Sequence, residues 1–329
     1  MKLESKVLAA LRLLTVVFLK RRIPLFVGWI LTTRCNKQCK YCSIWDRREV
    51  ELDINTIISV VGQLSRLGTK FISFSGGEPL LRDDIGEIVD CASCHRMYVK
   101  INSNGALFVQ KVHKLRKLDE IRLSLDGPEE IQDEIRGKDS YRETIAAAVE
   151  AKKNRIIVGF NTVLSKHNLA CLSFILDVAK KFEAKVIFQP ATSFLLGGDK
   201  TNPVAPSRND YKRAITMLIN AKEKNRHIAN SFSGLRYLYH WPYAVRKMHC
   251  YGGRFGCRIE VNGDISHCGI YRHKVDGDNF SNCKHADFRF AFKGLKDIYC
   301  NNCWCAPDIE MNFLISLQPE ALWNSLFLY

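Results

Sequence analysis

Residues 25–42 read LFVGWILTTRCNKQCKYC, an apolar run followed directly by three cysteines. The run has the length and composition of a buried strand. Cys35, Cys39 and Cys42 follow it in a C-x3-C-x2-C pattern. Four-iron clusters normally take four thiolates, so three clustered cysteines leave one iron without a protein ligand. The spacing indicates a cluster with an open iron, and a zinc knuckle or a chance group of thiols is the alternative.

A second motif, Gly76-Gly77-Glu78-Pro79, directly follows the next strand pattern. Glycines let the backbone approach a ligand closely, and a carboxylate accepts hydrogen bonds from an ammonium group. Taken alone, the motif is equally consistent with an ordinary turn between a strand and a helix. Because this motif follows the cysteine triplet with one helix between them, each motif supports the functional interpretation of the other.

The triplet, with Tyr41 before its last cysteine, and the Gly-Gly-Glu-Pro motif resemble the radical S-adenosylmethionine (SAM) superfamily. The resemblance covers residues 25–195 and implies an α/β fold with an open, TIM-like (β/α)6 partial barrel. It implies that a 4Fe-4S cluster on Cys35, Cys39 and Cys42 binds SAM and cleaves it to a 5'-deoxyadenosyl radical. The Gly-Gly-Glu-Pro motif would hold the amino group of SAM.

Further SAM-binding candidates lie at the ends of the third and fourth predicted strands: Asn102, Ser103, Asn104, Ser124 and Asp126. By resemblance, Ser124 is the candidate for the ribose and Arg136 for the SAM carboxylate, an anion that suits a forked guanidinium. The alternatives are turns formed by Asn-Gly and Asp-Gly, and a solvated arginine at a helix end. Asn161 and Gln189 end later strands and are weaker candidates for the same site.

Strand-like and helical patterns alternate through the first two thirds of the chain. We predict strands at 25–33, 71–77, 98–105, 120–127, 156–164 and 185–191, and helices near 54–67, 82–96, 107–117, 141–153, 168–181 and 208–226. Six strand and helix repeats are typical of a parallel sheet or barrel, and sites in such folds gather where the strands end.

A second group of cysteines comprises Cys250, Cys257, Cys268, Cys283, Cys300, Cys303 and Cys305. Their spacing resembles the twitch or SPASM type of auxiliary cluster domain, with a β-hairpin expected around Asn262-Gly263. We predict that Cys250, Cys268, Cys300 and Cys303 hold one auxiliary 4Fe-4S cluster. A structural zinc site is the alternative. The other three cysteines of the group would need a further ligand to hold another cluster.

Two remaining cysteines, Cys91 and Cys94, form a C-x2-C pair in a helical pattern. Such a pair suggests redox chemistry, but cysteine is commonly a small buried residue, and we predict burial for both. Cys171 is likewise predicted to lie in the core.

Composition restricts the class of protein and its partners. The chain has 329 residues, a hydrophobic content of 47%, thirteen cysteines and a formal net charge of +15. The charge favours an anionic partner such as a phosphorylated substrate or a membrane surface. Nucleic acid is disfavoured because basic residues do not interleave with aromatic ones in a binding module. Metal-ligand spacings without a secretory signal indicate a cytoplasmic protein.

We divide the chain into a basic amphipathic helix (1–22), the partial barrel (23–195), a linker and helical segment (196–245), an auxiliary cluster domain (246–310) and an apolar tail (311–329). The first helix is too short to span a bilayer. It either lies on the inner membrane surface or packs on the barrel. The tail either favours a lipid substrate or covers the open barrel.

The expected activity is abstraction of a hydrogen atom from an unactivated carbon, with the auxiliary cluster assisting oxidation, crosslinking or C-C bond formation. Flavodoxin or ferredoxin is the expected electron donor. The substrate remains open among a lipid, which the apolar ends favour, a peptide and a sugar. The alternatives are therefore a peptide maturase or a sugar dehydrogenase, and, outside enzymes, a noncatalytic iron-sulfur or zinc protein.

Overall fold

The computed structural model describes residues 22–195, 200–243, 248–269, 281–295 and 303–326. Their strands form one sheet in the order β6-β5-β4-β3-β2-β1-β7-β8-β9. The strands are β1 Phe26–Thr32, β2 Phe71–Gly76, β3 Tyr98–Ser103, β4 Glu120–Ser124, β5 Ile157–Leu164, β6 Lys185–Pro190, β7 Gly256–Ile259, β8 Asp264–Ser266 and β9 Ser281–Asn282.

The helices lie between and after these strands. They are α1 Ile54–Leu67, α2 Ile85–Cys94, α3 Phe108–Lys111, α4 Glu129–Arg136, α5 Ser140–Lys153, α6 Leu172–Lys181, α7 Arg208–Lys222, α8 Phe232–Leu238, α9 Phe288–Lys293, α10 Ala306–Ile315 and α11 Pro319–Leu326. The six predicted strands and the predicted helices are present, with shorter ends. The sequence analysis did not predict α4, which is short and strongly charged.

Strands β1 to β6 are parallel, and each pairs with the next along the chain. Alternate residues of β1, such as Val27 and Trp29, are buried under the helices. Because side chains alternate along a strand, Phe26 and Gly28 face the other side, which we call the interior face. The predicted α/β fold with a TIM-like partial barrel is confirmed.

The C-terminal part extends this sheet. Strand β7 pairs with β1 in parallel, and β8 and β9 follow in antiparallel pairing. The predicted hairpin is present, and Gly263 adopts a φ of +94° in its turn, which glycine tolerates best. The first strand of the hairpin, β7, is thereby brought beside the strand that leads into the cysteine triplet.

Helix α10 connects the segments next to β6 and β7, two strands that lie far apart in the strand order. Its Glu310 accepts a hydrogen bond of 2.8 Å from the backbone of Ser231, which follows a short parallel bridge onto β6. Its Asn312 accepts one of 2.9 Å from the backbone of Tyr251, just before β7. The predicted tail boundary at 311 falls inside α10.

No helix of the described residues is both long enough and apolar enough to cross a bilayer. The predicted basic N-terminal helix and Cys300 lie outside the described residues, apart from Arg22.

The end of β2 packs directly on the loop that follows β1. The backbone of Gly77 donates to Thr32 O at 2.9 Å, and that of Glu78 donates to Arg34 O at 2.8 Å. A Cβ on Gly77 would lie 2.2 Å from Arg34 O, and Gly76 has a φ of +144°. The two glycines therefore allow the backbone to approach the cysteine loop, whose start they fix.

Replacing Gly77 by Ala should lower the free energy of unfolding by at least about 2 kcal/mol, because two backbone segments must separate. Gly62→Ala, inside α1, is the control, since its nearest neighbour to a new Cβ is 3.7 Å away. That variant should gain about 0.5–1 kcal/mol from helix propensity. Anaerobic urea unfolding of the metal-free proteins measures both, and equal effects would contradict the role given to Gly77.

Candidate active site

The cysteine loop lies at the carboxyl edge of the sheet, where β1 to β4 end. It is held by a hydrogen bond from Lys40 N to Ile135 O at 3.0 Å and by one from Asn104 Nδ2 to Asn36 Oδ1 at 2.8 Å. A salt bridge of 2.7 Å joins Lys37 to Glu143 on α5. Three elements thus fix the loop from outside.

The three thiols of this loop are free and partly buried. Burial raises the pKa of Cys35 to about 11 and that of Cys42 to about 12, and it also raises the pKa of Cys39. Without a metal the thiols are therefore protonated, and metal binding must release their protons.

Within the described part of the chain, no three His, Cys, Asp or Glu side chains converge closely enough to hold a single metal ion. Each cysteine of a 4Fe-4S cluster binds a different iron, so its ligands do not need to meet at one point. A donor set of three free thiols on one short loop fits such a cluster.

Beneath the loop lies a buried ion pair that the sequence analysis did not predict. Arg136 Nε lies 2.6 Å from Asp126 Oδ2, and the exposed fractions of their side chains are 7% and 0%. Tyr41 OH donates to the same carboxylate oxygen at 2.9 Å. The guanidinium also donates to Tyr41 OH and lies 3.8 Å from Cys39 Sγ. Arg136 is therefore buried under the loop, and the alternative of a solvated helix-end arginine is wrong.

The carboxylate of Asp126 also reaches β5, because its Oδ1 accepts from the Val163 backbone at 2.9 Å. Its backbone N donates to Gln132 Oε1 at 2.6 Å, and its carbonyl accepts from Asn168 Nδ2 at 2.8 Å. Asp126, which lies two residues after β4, therefore joins the cysteine loop, α4 and β5. Its position before a glycine is the only signal in the sequence, and that signal equally indicates a turn.

Glu78 of the second motif is fully buried. Its carboxylate accepts from Leu80 N at 3.0 Å, from Ser103 Oγ at 3.0 Å and from Asn104 N at 2.8 Å. Burial outweighs these bonds and raises the pKa of Glu78 to about 7. Pro79 begins the short 3-10 helix that follows. Glu78, Ser103 and Asn104, all predicted for the SAM site, are thus brought together at the ends of β2 and β3.

Asn102, Ser124 and Asn161 lie on the interior face near the carboxyl edge. Asn102 Nδ2 donates to Ser73 Oγ at 2.9 Å. Ser124 and Asn161 are partners in the register of β4 and β5. The buried Oδ1 of Asn161 has no hydrogen-bond partner among the described residues. Such an orphaned acceptor fits a bound molecule that supplies a donor, such as a ribose hydroxyl.

The second cysteine group divides into two parts. Burial is the largest cause that raises the pKa of Cys303 and that of Cys305, followed by the charge of Asp308. A smaller contribution from Cys268 to both shifts places these two thiols near Cys268. A Cβ on Gly252 would contact both Cys250 Sγ, at 3.4 Å, and His267, the neighbour of Cys268. Cys305, which the sequence analysis left unassigned, is therefore placed with three of the seven distal cysteines.

Cys257 and Cys283 lie elsewhere. Both are buried in the core on the helix side of β7, close enough for Cys283 to raise the pKa of Cys257. The described geometry therefore separates them from Cys305, with which the sequence analysis had grouped them.

The cysteines of α2 depart from the prediction. Cys94 is exposed and Cys91 is only partly buried, so predicted burial is wrong for Cys94. Cys94 Sγ accepts from Lys117 Nζ at 3.6 Å. Cys171 is partly buried.

The interior face also holds charged residues that the sequence analysis missed. Glu120 accepts from Arg122 Nη2 at 2.6 Å and from Tyr98 OH at 3.0 Å. Lys100 lies beside Glu120 in the register of β3 and β4. Charged residues at alternate positions of otherwise apolar strands are the signal that could have revealed them.

A partial barrel with three free thiols at the carboxyl edge of its first strand defines a cofactor-dependent α/β enzyme class. Residues 29–178 match the Radical SAM superfamily. The matched segment resembles the radical SAM superfamily, as the sequence analysis predicted, and the resemblance implies SAM and a 4Fe-4S cluster as cofactors.

Individual relatives cover the chain unequally. It is 29% identical over 262 residues to the mycofactocin maturase MftC of Mycolicibacterium smegmatis, covering 76% of this chain and 65% of that protein. It is 30% identical over 203 residues to the AdoMet-dependent heme synthase of Methanosarcina barkeri, covering 58% and 57%. The chain thus spans less than two thirds of either relative.

Among solved structures, Streptococcus suis SuiB bound to the precursor peptide SuiA has a similar fold. The TM-score is 0.69 at 16% identity, covering 85% of this chain and 67% of that one.

Arg136→Met should lower the free energy of unfolding by about 3–5 kcal/mol, because the carboxylate of Asp126 would stay buried without its cation. Arg142→Met is the control, since its pair with Glu129 is exposed, and it should cost at most about 0.5 kcal/mol. Adding Asp126→Asn to Arg136→Met should recover part of the loss, as measured by anaerobic urea unfolding. A loss no larger than that of the control would contradict the buried pair.

The raised pKa of Glu78 predicts a pH-dependent stability. The folded protein keeps a proton on Glu78 that the unfolded chain releases above about 4.5, so the free energy of unfolding should fall as pH rises from there to about 7. The fall is at most about 1.4 kcal/mol per pH unit. Glu78→Gln should remove this component, as shown by urea titrations between pH 5 and 8. Identical pH profiles for the variant and the parent would exclude it.

Proposed function

We propose that this chain is a radical SAM enzyme that acts on a peptide and uses a second iron-sulfur cluster. Cys35, Cys39 and Cys42 would hold the SAM-binding cluster at the carboxyl edge. When bound, the cluster and SAM supply a 5'-deoxyadenosyl radical that abstracts a hydrogen atom from the substrate. The observation that supports this assignment most strongly is the fixed position of the cysteine loop on the buried Arg136–Asp126 pair.

The protein residues have distinct roles in this proposal. Asn161 Oδ1 would accept a hydrogen bond from the ribose, and the neighbouring Ser124 would donate one to it. Backbone groups of the Gly-Gly-Glu-Pro segment would face the amino acid part of SAM, while the Glu78 carboxylate organises the ends of β2 and β3. For Arg136 we prefer a positioning role under Tyr41 over the predicted contact with the SAM carboxylate, because its donors already have protein partners.

For the auxiliary cluster we propose Cys250, Cys268, Cys303 and one of Cys300 and Cys305. Cys305 is favoured by its place near Cys268. Thiolate ligands at the start of α10 would place this cluster beside the interior face, since the Cys305 charge is felt at Lys100.

A peptide is favoured over a lipid for two reasons. A protein of similar fold has been solved with a precursor peptide, and a similar sequence is a maturase. In addition, the apolar segments α10 and α11 pack against α8, so part of the hydrophobic character that suggested lipid belongs to the fold. A tetrapyrrole is the second candidate, because a heme synthase is among the relatives. A cytoplasmic location and a flavodoxin or ferredoxin donor remain parts of the proposal.

Reconstituted, reduced protein should convert SAM to 5'-deoxyadenosine, measured by liquid chromatography. Cys35→Ala, Cys39→Ala and Cys42→Ala should each abolish the product, because each removes a cluster ligand. Cys94→Ala changes an exposed thiol far from the loop in sequence and should retain the activity. Product formation by any of the three loop variants would refute the assignment.

Iron analysis tests the second cluster, with about eight irons per chain expected. Cys305→Ala and Cys300→Ala, compared directly, identify the fourth ligand by a loss of about four irons. Substrate class is tested by adding peptides encoded beside the gene or iron coproporphyrin and recording SAM-dependent mass changes. A change in the porphyrin alone would replace the peptide proposal.

A further inference from the structure

Lys100 lies on the interior face of β3, below the candidate SAM site. Its neighbours Val99 and Ile101 are fully buried under the helices, so alternation directs Lys100 to the interior. Asn102, two residues further along the same face, contacts Ser73. Lys100 is thus about 7 Å deeper than Asn102 along the strand.

The other cations of this region already have partners. Arg122 is paired with Glu120, and Arg258 Nε lies 2.9 Å from Glu260 Oε1. Lys185 donates to the carbonyl of Arg226. Among these four residues, only Lys100 has a side chain without a hydrogen bond or ion pair to any residue that the structure describes.

The surroundings of Lys100 leave its charge poorly compensated. Burial, followed by the charge of Arg122, lowers its pKa to about 8, against the opposing effects of Glu120, Cys305 and Asp308. Glu120 is engaged by Arg122 and Tyr98, and the carboxylate of Asp308 is hydrogen-bonded to the Cys305 thiol. A partly buried ammonium without a direct partner favours an incoming anion.

There is also open space on the interior face, two strands away from Lys100. Gly28 pairs with Ser73 in the sheet register, and Ser73 pairs with Lys100. A Cβ on Gly28 would meet no atom within 4 Å. The interior face is therefore open two strands away from Lys100.

We propose that Lys100 anchors a carboxylate of the substrate inside the partial barrel. The proposal rests on the proposed function and narrows its substrate to a molecule with a carboxylate, such as a peptide with a free C-terminus or an acidic side chain. One ammonium suits a compact, singly charged group. Phosphate recognition commonly uses arginine forks, and the forks of Arg122 and Arg258 are directed at glutamates.

The test uses N-acetyl-dialanine and its C-terminal amide, two probes that differ by the carboxylate. Anaerobic calorimetry with the reconstituted full-length protein measures both affinities. The acid should bind about tenfold or more tightly than the amide, as expected for a charge-assisted bond. Lys100→Gln should reduce this preference to about twofold or less, and Lys100→Arg should keep part of it. Lys185→Gln, which removes another lysine assigned to the same face by register, should keep it fully.

Equal affinities of the two probes for the parent protein, or no binding of the acid, would overturn the proposal. The proposal would also be overturned if Lys100→Gln still prefers the acid over the amide, or if Lys185→Gln loses that preference to the same extent. If Lys100→Gln keeps the preference but loses iron, the lysine serves the auxiliary cluster instead. SAM cleavage by the parent protein is measured separately, so failure of the carboxylate site is distinguishable from failure of the proposed function.

Discussion

The buried carboxylate of Asp126 is the constraint on which the site depends. A charge with no solvent exposure is stable only when it is paired and fully hydrogen-bonded. Arg136, Tyr41 and Val163 provide those bonds, and they come from α4, the cysteine loop and β5. Moving any one of these elements would leave the buried carboxylate in apolar surroundings without one of its hydrogen bonds. The cysteine loop therefore has a defined position before any metal is considered.

The order of the strands explains how two cysteine groups reach one interior. Strand β1 lies between β2 and β7 in the sheet, and the triplet follows it directly. The segment around β7 and β8 holds Cys250 and Cys268, while Cys303 and Cys305 return beside them at the start of α10.

The sequence predicted the parts of the molecule that follow local rules. Strand patterns and the hairpin at Gly263 depend on residues close together in the chain, and each was located correctly. The pair formed by Asp126 and Arg136 depends on a short helix, α4, which has only two apolar residues, Ile131 and Ile135, among its eight. Cys305 was left unassigned because its neighbour in space, Cys268, is distant along the chain. The surroundings of Lys100 were equally inaccessible, since its charged neighbours Glu120 and Asp308 come from β4 and α10.

Helix α10 bonds to the segment beyond β6 through Glu310 and to the segment before β7 through Asn312. The helix thereby links the segments next to β6 and β7, two strands that do not pair with each other. Cys303 and Cys305 directly precede α10, so any group that fixes those thiols also restrains the start of the helix. If Cys303 and Cys305 hold the proposed second cluster, loading of that metal would also restrain α10 and, through Glu310 and Asn312, the two segments that the helix joins.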